Sequence, residues 1–243
     1  MLKYAWLSLF IMSTGFTQVS DRPGAGDSPE SQGQKTWRLE TSFVGYNEAN
    51  EVQTYALAQS TYLIRGFKSS EVQIGQTGGL RWSSPGSGDT DSSFGEPSLR
   101  YKYTLGRLFC DACRFGLLAT ITGPERNKSR LKNYEKVLSV PMSFGLSSHF
   151  SLGVNLAWTH VRDFNSTDSA FVLNYTASDK LVVFVQQVVS TNKSNLDEES
   201  FSSGLGAAYL WQKSWQLDAE FNQGISSIDQ SSDFQVGMTY WFN

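Results

Sequence analysis

Several features of common protein classes are scarce in this chain. Beyond its first residues there is no long apolar run, and 18% of residues are charged. With a mean hydropathy of −0.31, a bundle of transmembrane helices is excluded. Surplus positive charge is missing too. A net charge of −3 and an isoelectric point near 5.4 leave no basic surface for nucleic acid. Cys110 and Cys113 are spaced like half a zinc site, but there is no second cysteine pair, and His149 and His160 are not spaced as a histidine pair, so the usual four-ligand zinc pattern is missing. We expect no metal, no cofactor and no catalytic function.

What the chain does have is aromatics, at 14%, and 21 glycines. Aromatic rings suit membrane interfaces and glycine suits tightly curved strands. The C-terminal stretch is the clearest signal. Phe234, Val236, Met238, Tyr240 and Phe242 share one face of a strand, while Gln235, Gly237 and Thr239 take the other. On an open sheet in water such a face invites aggregation. Against lipid, in a closed barrel, it is stable. At the other end, Met1-Leu2-Lys3 followed by the apolar stretch Tyr4 to Met12 and small residues up to Ser20 reads as a secretory signal peptide over 1–20.

Residues 21–35 are rich in Pro, Gly, Ser and Gln and read as a flexible periplasmic segment. Residues 36–243 read as an all-β, transmembrane antiparallel up-and-down β-barrel. Its twelve expected strands fall near 37–46, 52–65, 71–83, 96–106, 113–122, 134–146, 150–161, 169–177, 180–190, 201–211, 214–224 and 233–242. The connections alternate. Those after the second, sixth, eighth and tenth strands are short, such as Ser178-Asp179. Those after the third, fifth, seventh, ninth and eleventh are longer and polar. Short periplasmic turns and long external loops give outer-membrane barrels this parity. Trp37, Trp211 and Trp215 fall at the expected periplasmic strand ends, and Trp82 and Trp158 at external ends. All five sit on the lipid-facing parity, where rings anchor at headgroup level. The run Leu181-Val182-Val183-Phe184-Val185 is apolar on both parities and fixes no orientation.

The inward parity carries charges of both signs, giving a candidate lumen lining of Arg38, Glu40, Arg81, Arg100, Lys102, Asp218 and Glu220. In a closed barrel Arg38 and Glu220 come onto nearby strands and are candidates to pair across the lumen. Buried charges need partners because desolvation is costly, and rings of charge also set the selectivity of pores. Cys110 and Cys113 flank a short turn and form a candidate disulfide in an oxidising compartment. Tyr240 and Phe242 form a candidate assembly signal for the outer-membrane assembly machinery. Outer-membrane lipid and lipopolysaccharide are the other expected partners, with a small solute of unspecified identity.

Two stretches carry a family resemblance. Gly95-Glu96-Pro97-Ser98-Leu99-Arg100-Tyr101-Lys102-Tyr103 and Ala119-Thr120-Ile121-Thr122-Gly123, the latter ahead of Ser139-Val140-Pro141, resemble bacterial outer-membrane proteins of the meta-pathway of phenol degradation family. Glu96 stands where that family usually has Asp, and Ile121 where it has Pro. The resemblance covers roughly residues 70 to 243. It implies an outer-membrane barrel with a transporter function.

These readings converge on a channel or transporter-like barrel of the cell outer membrane for small solutes, with small hydrophobic or aromatic compounds among the candidates. Two alternatives stand beside it. One is a plugged structural or interaction barrel with external binding loops. The other is an interfacial hydrolase using His160, which needs a serine or aspartate within hydrogen-bond reach.

Overall fold

The computed structural model describes residues 27–30, 36–48, 54–83, 90–123, 134–161, 164–192, 199–226 and 231–242. Twelve strands follow one another: β1 (Trp37–Glu48), β2 (Thr54–Gly66), β3 (Ser70–Ser83), β4 (Thr90–Arg107), β5 (Cys113–Thr122) and β6 (Glu135–Gly145), then β7 (Phe150–Val161), β8 (Phe164–Ser178), β9 (Leu181–Asn192), β10 (Glu199–Gln212), β11 (Trp215–Gly224) and β12 (Ser232–Phe242). Each pairs antiparallel with its sequence neighbours, and β1 pairs with β12 to close the barrel. Closure satisfies every strand edge, which a bilayer demands because it offers no water to unpaired backbone groups. Even the shortest strands, ten residues in β5 and β11, reach the length of a tilted membrane crossing.

Side-chain alternation decides what faces where. Outward positions are apolar around the whole ring, from Leu39 and Leu63 through Leu99, Leu138 and Leu156 to Phe171, Val185, Leu217 and Val236. The most exposed, Ile74 at 62% and Leu205 at 61%, would be untenable in water. A continuous apolar exterior of this kind is solvated by lipid, so the barrel spans a bilayer.

The expected strands all form, with two shifts. β8 begins at Phe164, and its hairpin with β7 continues up to the Val161–Phe164 pair, so the seventh connection is short instead of long. β4 begins at Thr90, pairing with Trp82 across a bulge between Thr77 and Gly79. Both extensions lie at the end away from the short turns. Both stretches, Thr90 to Gly95 and Phe164 to Asp168, lack the apolar alternation used to mark a strand.

Strand β9, apolar on both parities, is resolved by register. Val183 and Val185 point outward, while Val182, Phe184 and Gln186 are buried inside. In the β5–β6 ladder the pairing breaks between Phe115–Met142 and Leu118–Ser139, where Pro141 has no N–H to donate.

Candidate functional site

The lumen has two unlike walls. The wall of β1, β3 and β4 is charged and nearly dry. Glu71 and Lys102 are both 0% exposed, and the Glu71 carboxylate oxygen Oε2 lies 3.3 Å from Lys102 Nζ and 3.4 Å from Arg38 Nη2. Arg38 Nε also pairs with Glu40 at 2.9 Å. Gln73 Nε2 donates to the same Glu71 oxygen at 3.5 Å, and Arg100 Nη1 donates to Gln73 Oε1 at 3.3 Å. Charges of opposite sign are thus linked from β1 to β4, passing over β2. That linkage answers the desolvation penalty of charges held out of water.

The opposite wall, on β8, β9 and β10, is apolar: Ala170, Val172, Val182, Phe184 and Ala208 are all buried. Further from the short turns, Asn222 ties β11 to its neighbours. Its Nδ2 donates to Glu220 Oε1 (3.1 Å) and to Asp233 Oδ1 (2.9 Å), and its Oδ1 accepts from Gln186 Nε2 (2.5 Å).

Four residues ahead of β1 lie against the inner wall. Asp27 Oδ1 meets Arg100 Nη2 at 2.7 Å. The Ser28 carbonyl accepts from Lys102 Nζ at 3.2 Å, and the Pro29 carbonyl accepts from Thr104 Oγ1 at 3.1 Å. Glu30 pairs with Arg114. The segment therefore runs along β4 toward the short-turn end. It fits because Gly116 has no side chain: a Cβ there would come within 2.9 Å of the Pro29 carbonyl oxygen and 3.3 Å of Pro141. Part of the 21–35 segment, expected to be flexible and periplasmic, is in fact inside the barrel.

Of the residues singled out from sequence, Arg38, Glu40, Arg100 and Lys102 come together in one network. Asp218 faces the lumen, nearly buried, and Glu220 belongs to the Asn222 group. Arg38 and Glu220 are not neighbours. Glu220 is level with Gln235 and hence with Val44, six residues along β1 from Arg38, roughly 20 Å at strand rise. The side chain of Arg81 lies outside the described residues. Glu71 and Gln73 were missed. Their signal was the alternation Glu71-Val72-Gln73-Ile74, with the polar pair on the inward parity.

Cys110 and Cys113 are joined in a disulfide across the β4–β5 turn, with Cα atoms 5.1 Å apart. Phe109 at its tip packs edge-on against Phe115, which packs against Phe144, extending the aromatic girdle at the short-turn end. That girdle includes Trp37 stacked on Phe242 and Trp215 against Tyr240, with Arg65 over the Trp37 ring. At the far end His160 stacks on Trp158 at 5.7 Å, and its Nδ1 sits 2.9 Å from Asn165 Oδ1. Lys136 and Asn165 face it across the ladders, and neither is the serine or aspartate that a hydrolase at His160 would need.

Comparisons with known proteins agree with this architecture. A family model described as "Putative MetA-pathway of phenol degradation" matches residues 20–243. Among solved structures, the COG4313 outer membrane channel from Pseudomonas putida F1 aligns with a TM-score of 0.73 at 9% identity, over 90% of this chain and 99% of that one. The NanC porin aligns at 0.57 and 8% identity, over 83% and 98% of the two chains. The translocator domain of the autotransporter NalP from Neisseria meningitidis aligns at 0.51 and 13% identity, over 91% and 90%. At these identities the likeness is one of fold. No curated protein matches the chain.

Proposed function

The chain belongs to the MetA-pathway of phenol degradation family, and from that premise we propose that it is an outer-membrane channel for small solutes. The observation that carries the proposal is a closed twelve-strand barrel with a polar, charged wall facing an apolar one inside it. Twelve strands enclose more room than an eight-strand barrel filled by its own side chains, and less than a sixteen-strand porin. The NanC porin and the Pseudomonas putida F1 outer membrane channel share this fold.

The two walls suit different parts of one molecule. Val172, Val182 and Phe184 make one wall apolar and closely packed, and Arg100, paired with Asp27, makes the other cationic. Small hydrophobic or aromatic compounds with a polar end match this pairing of walls. Lipid and lipopolysaccharide contact the exterior, and the outer-membrane assembly machinery recognises the C-terminal face that ends in Tyr240 and Phe242. A rim-anchor role for His160, in place of an acid–base one, is supported by its ring neighbours Trp158 and Asn165.

A second reading, a plugged barrel acting through its external loops, is favoured by one observation, the Asp27–Glu30 segment inside the lumen. Liposome swelling separates the two. A channel admits a small solute such as arabinose faster than empty liposomes do, whereas swelling at the empty-liposome rate would favour the plugged barrel.

A further inference from the structure

We infer that Arg100 is the centre of a binding site for a small organic carboxylate, and that Asp27 occupies this site as a built-in competitor. The inference rests on the channel reading for its biological purpose and names the class of solute that reading leaves open.

The Arg100 side chain is positioned by the barrel wall. Its Nε donates to Thr120 Oγ1 at 3.3 Å, its Nη1 to Gln73 Oε1 at 3.3 Å, and its guanidinium carbon lies 5.7 Å from the centre of the Tyr62 ring. These three wall groups are neutral. The carboxylate that meets Nη2, at 2.7 Å, is the shortest of the contacts and comes from outside the wall, from the segment ahead of β1. Alongside it Lys102, held at 3.3 Å by Glu71, gives a hydrogen bond to the Ser28 carbonyl. Two cationic donors anchored in the barrel thus present themselves to acceptors on a separate strip of chain.

A planar guanidinium with fixed orientation is the side chain best suited to a carboxylate, and charge-assisted bonds of this kind are the strong ones. Tyr62 is itself held in place, lying across Gly75, where a Cβ would collide with its ring. A solute carrying a carboxylate on a small apolar body would take the Asp27 position and set its body toward the interior. Binding requires that Asp27 yield, so the segment reduces the apparent affinity by the fraction of time it holds the site.

The test uses the refolded full barrel in detergent and two probes of one shape, benzoate and neutral benzamide, with binding followed by saturation-transfer NMR titration. Asp27→Asn leaves every strand untouched and removes the competing charge. We expect it to bind benzoate about tenfold more tightly than the parent, which corresponds to a segment holding the site about nine-tenths of the time. Adding Arg100→Gln to that variant should abolish benzoate binding, and benzamide should be indifferent to both changes. Arg100→Lys, which keeps the charge and loses the fork, should retain weak binding. Equal benzoate affinity for the parent and Asp27→Asn would overturn the inference, as would no binding to Asp27→Asn or equal responses to the two probes. Because binding is read without transport, a barrel that takes benzoate but passes no current would retain this site and lose the channel reading.

Discussion

Trp37 and Phe242 stack with ring centroids 6.5 Å apart and planes 9° from parallel. They are the first residue of β1 and the last of β12, paired directly in the closing ladder. The two ends of the barrel wall therefore meet through aromatic rings at the membrane interface. Tyr240 continues the stack at 5.7 Å from Phe242. One residue in, Trp241 is buried on the lumen side opposite Arg38, so the terminal strand anchors on both faces.

Phe242→Ala should cost about 1 kcal/mol, the usual worth of an aromatic pair. Deleting Trp241 to Asn243 removes the lumen anchor as well, and we expect that variant to accumulate in the periplasm and be degraded. Removing Asn243 alone should leave assembly unchanged. Fractionation of the outer membrane with blotting compares the variants, and normal insertion of the three-residue deletion would deny this end any special role.

Leu173 and Asn174 test the facing of the wall at one depth. Leu173 points to lipid and Asn174 into the lumen, where its Nδ2 donates to the Val172 carbonyl. Arginine at 173 should cost about 2 kcal/mol of stability in vesicles, and arginine at 174 much less. Equal urea midpoints for the two variants would contradict the assignment of inside and outside.

Lys102→Met leaves the fully buried Glu71 with one cation fewer. Loss of one partner from a buried pair typically costs about 3–5 kcal/mol. Because Arg38 still lies 3.4 Å from that carboxylate, the lower end, about 3 kcal/mol, is expected. The double variant Glu71→Met, Lys102→Met should be less destabilised than the single, since no charge is then stranded. Urea unfolding in lipid vesicles measures both, and a double variant worse than the single would show that the pair is not coupled.

Much of this was legible in the sequence, and the residues show where legibility ended. Inside–outside parity was readable wherever one face is apolar and the other polar, as in Trp215-Gln216-Leu217-Asp218. It failed at Leu181 to Val185, because the lumen's second wall is itself apolar and alternation vanishes when both faces are. The charged lining was visible, but its partnerships were not. Glu71 reaches Arg38 across β2, a relation set by barrel curvature that no sequence spacing encodes. The Asp27–Glu30 strip was hidden for another reason. Two of its holds are backbone carbonyls, Ser28 and Pro29, and a carbonyl has no side-chain signature.

Gly116 admits Pro29, so Gly116→Leu should force the segment off the wall. The side chain would occupy the space now filled by the Pro29 carbonyl and Pro141, a clash the barrel relieves most cheaply by releasing the strip that is not part of it. We expect liposomes carrying this variant to swell faster than those carrying the parent. Unchanged swelling with a normally folded barrel would mean that the segment does not limit passage.

Single-channel recording in planar bilayers tests the central claim most directly, comparing the parent barrel with one lacking residues 27–30. Discrete, narrow conductance steps in the parent that rise when Asp27, Ser28, Pro29 and Glu30 are removed are the result expected of a channel restrained by its own N-terminal strip. Bilayers that stay silent with both proteins, despite verified insertion, would contradict it.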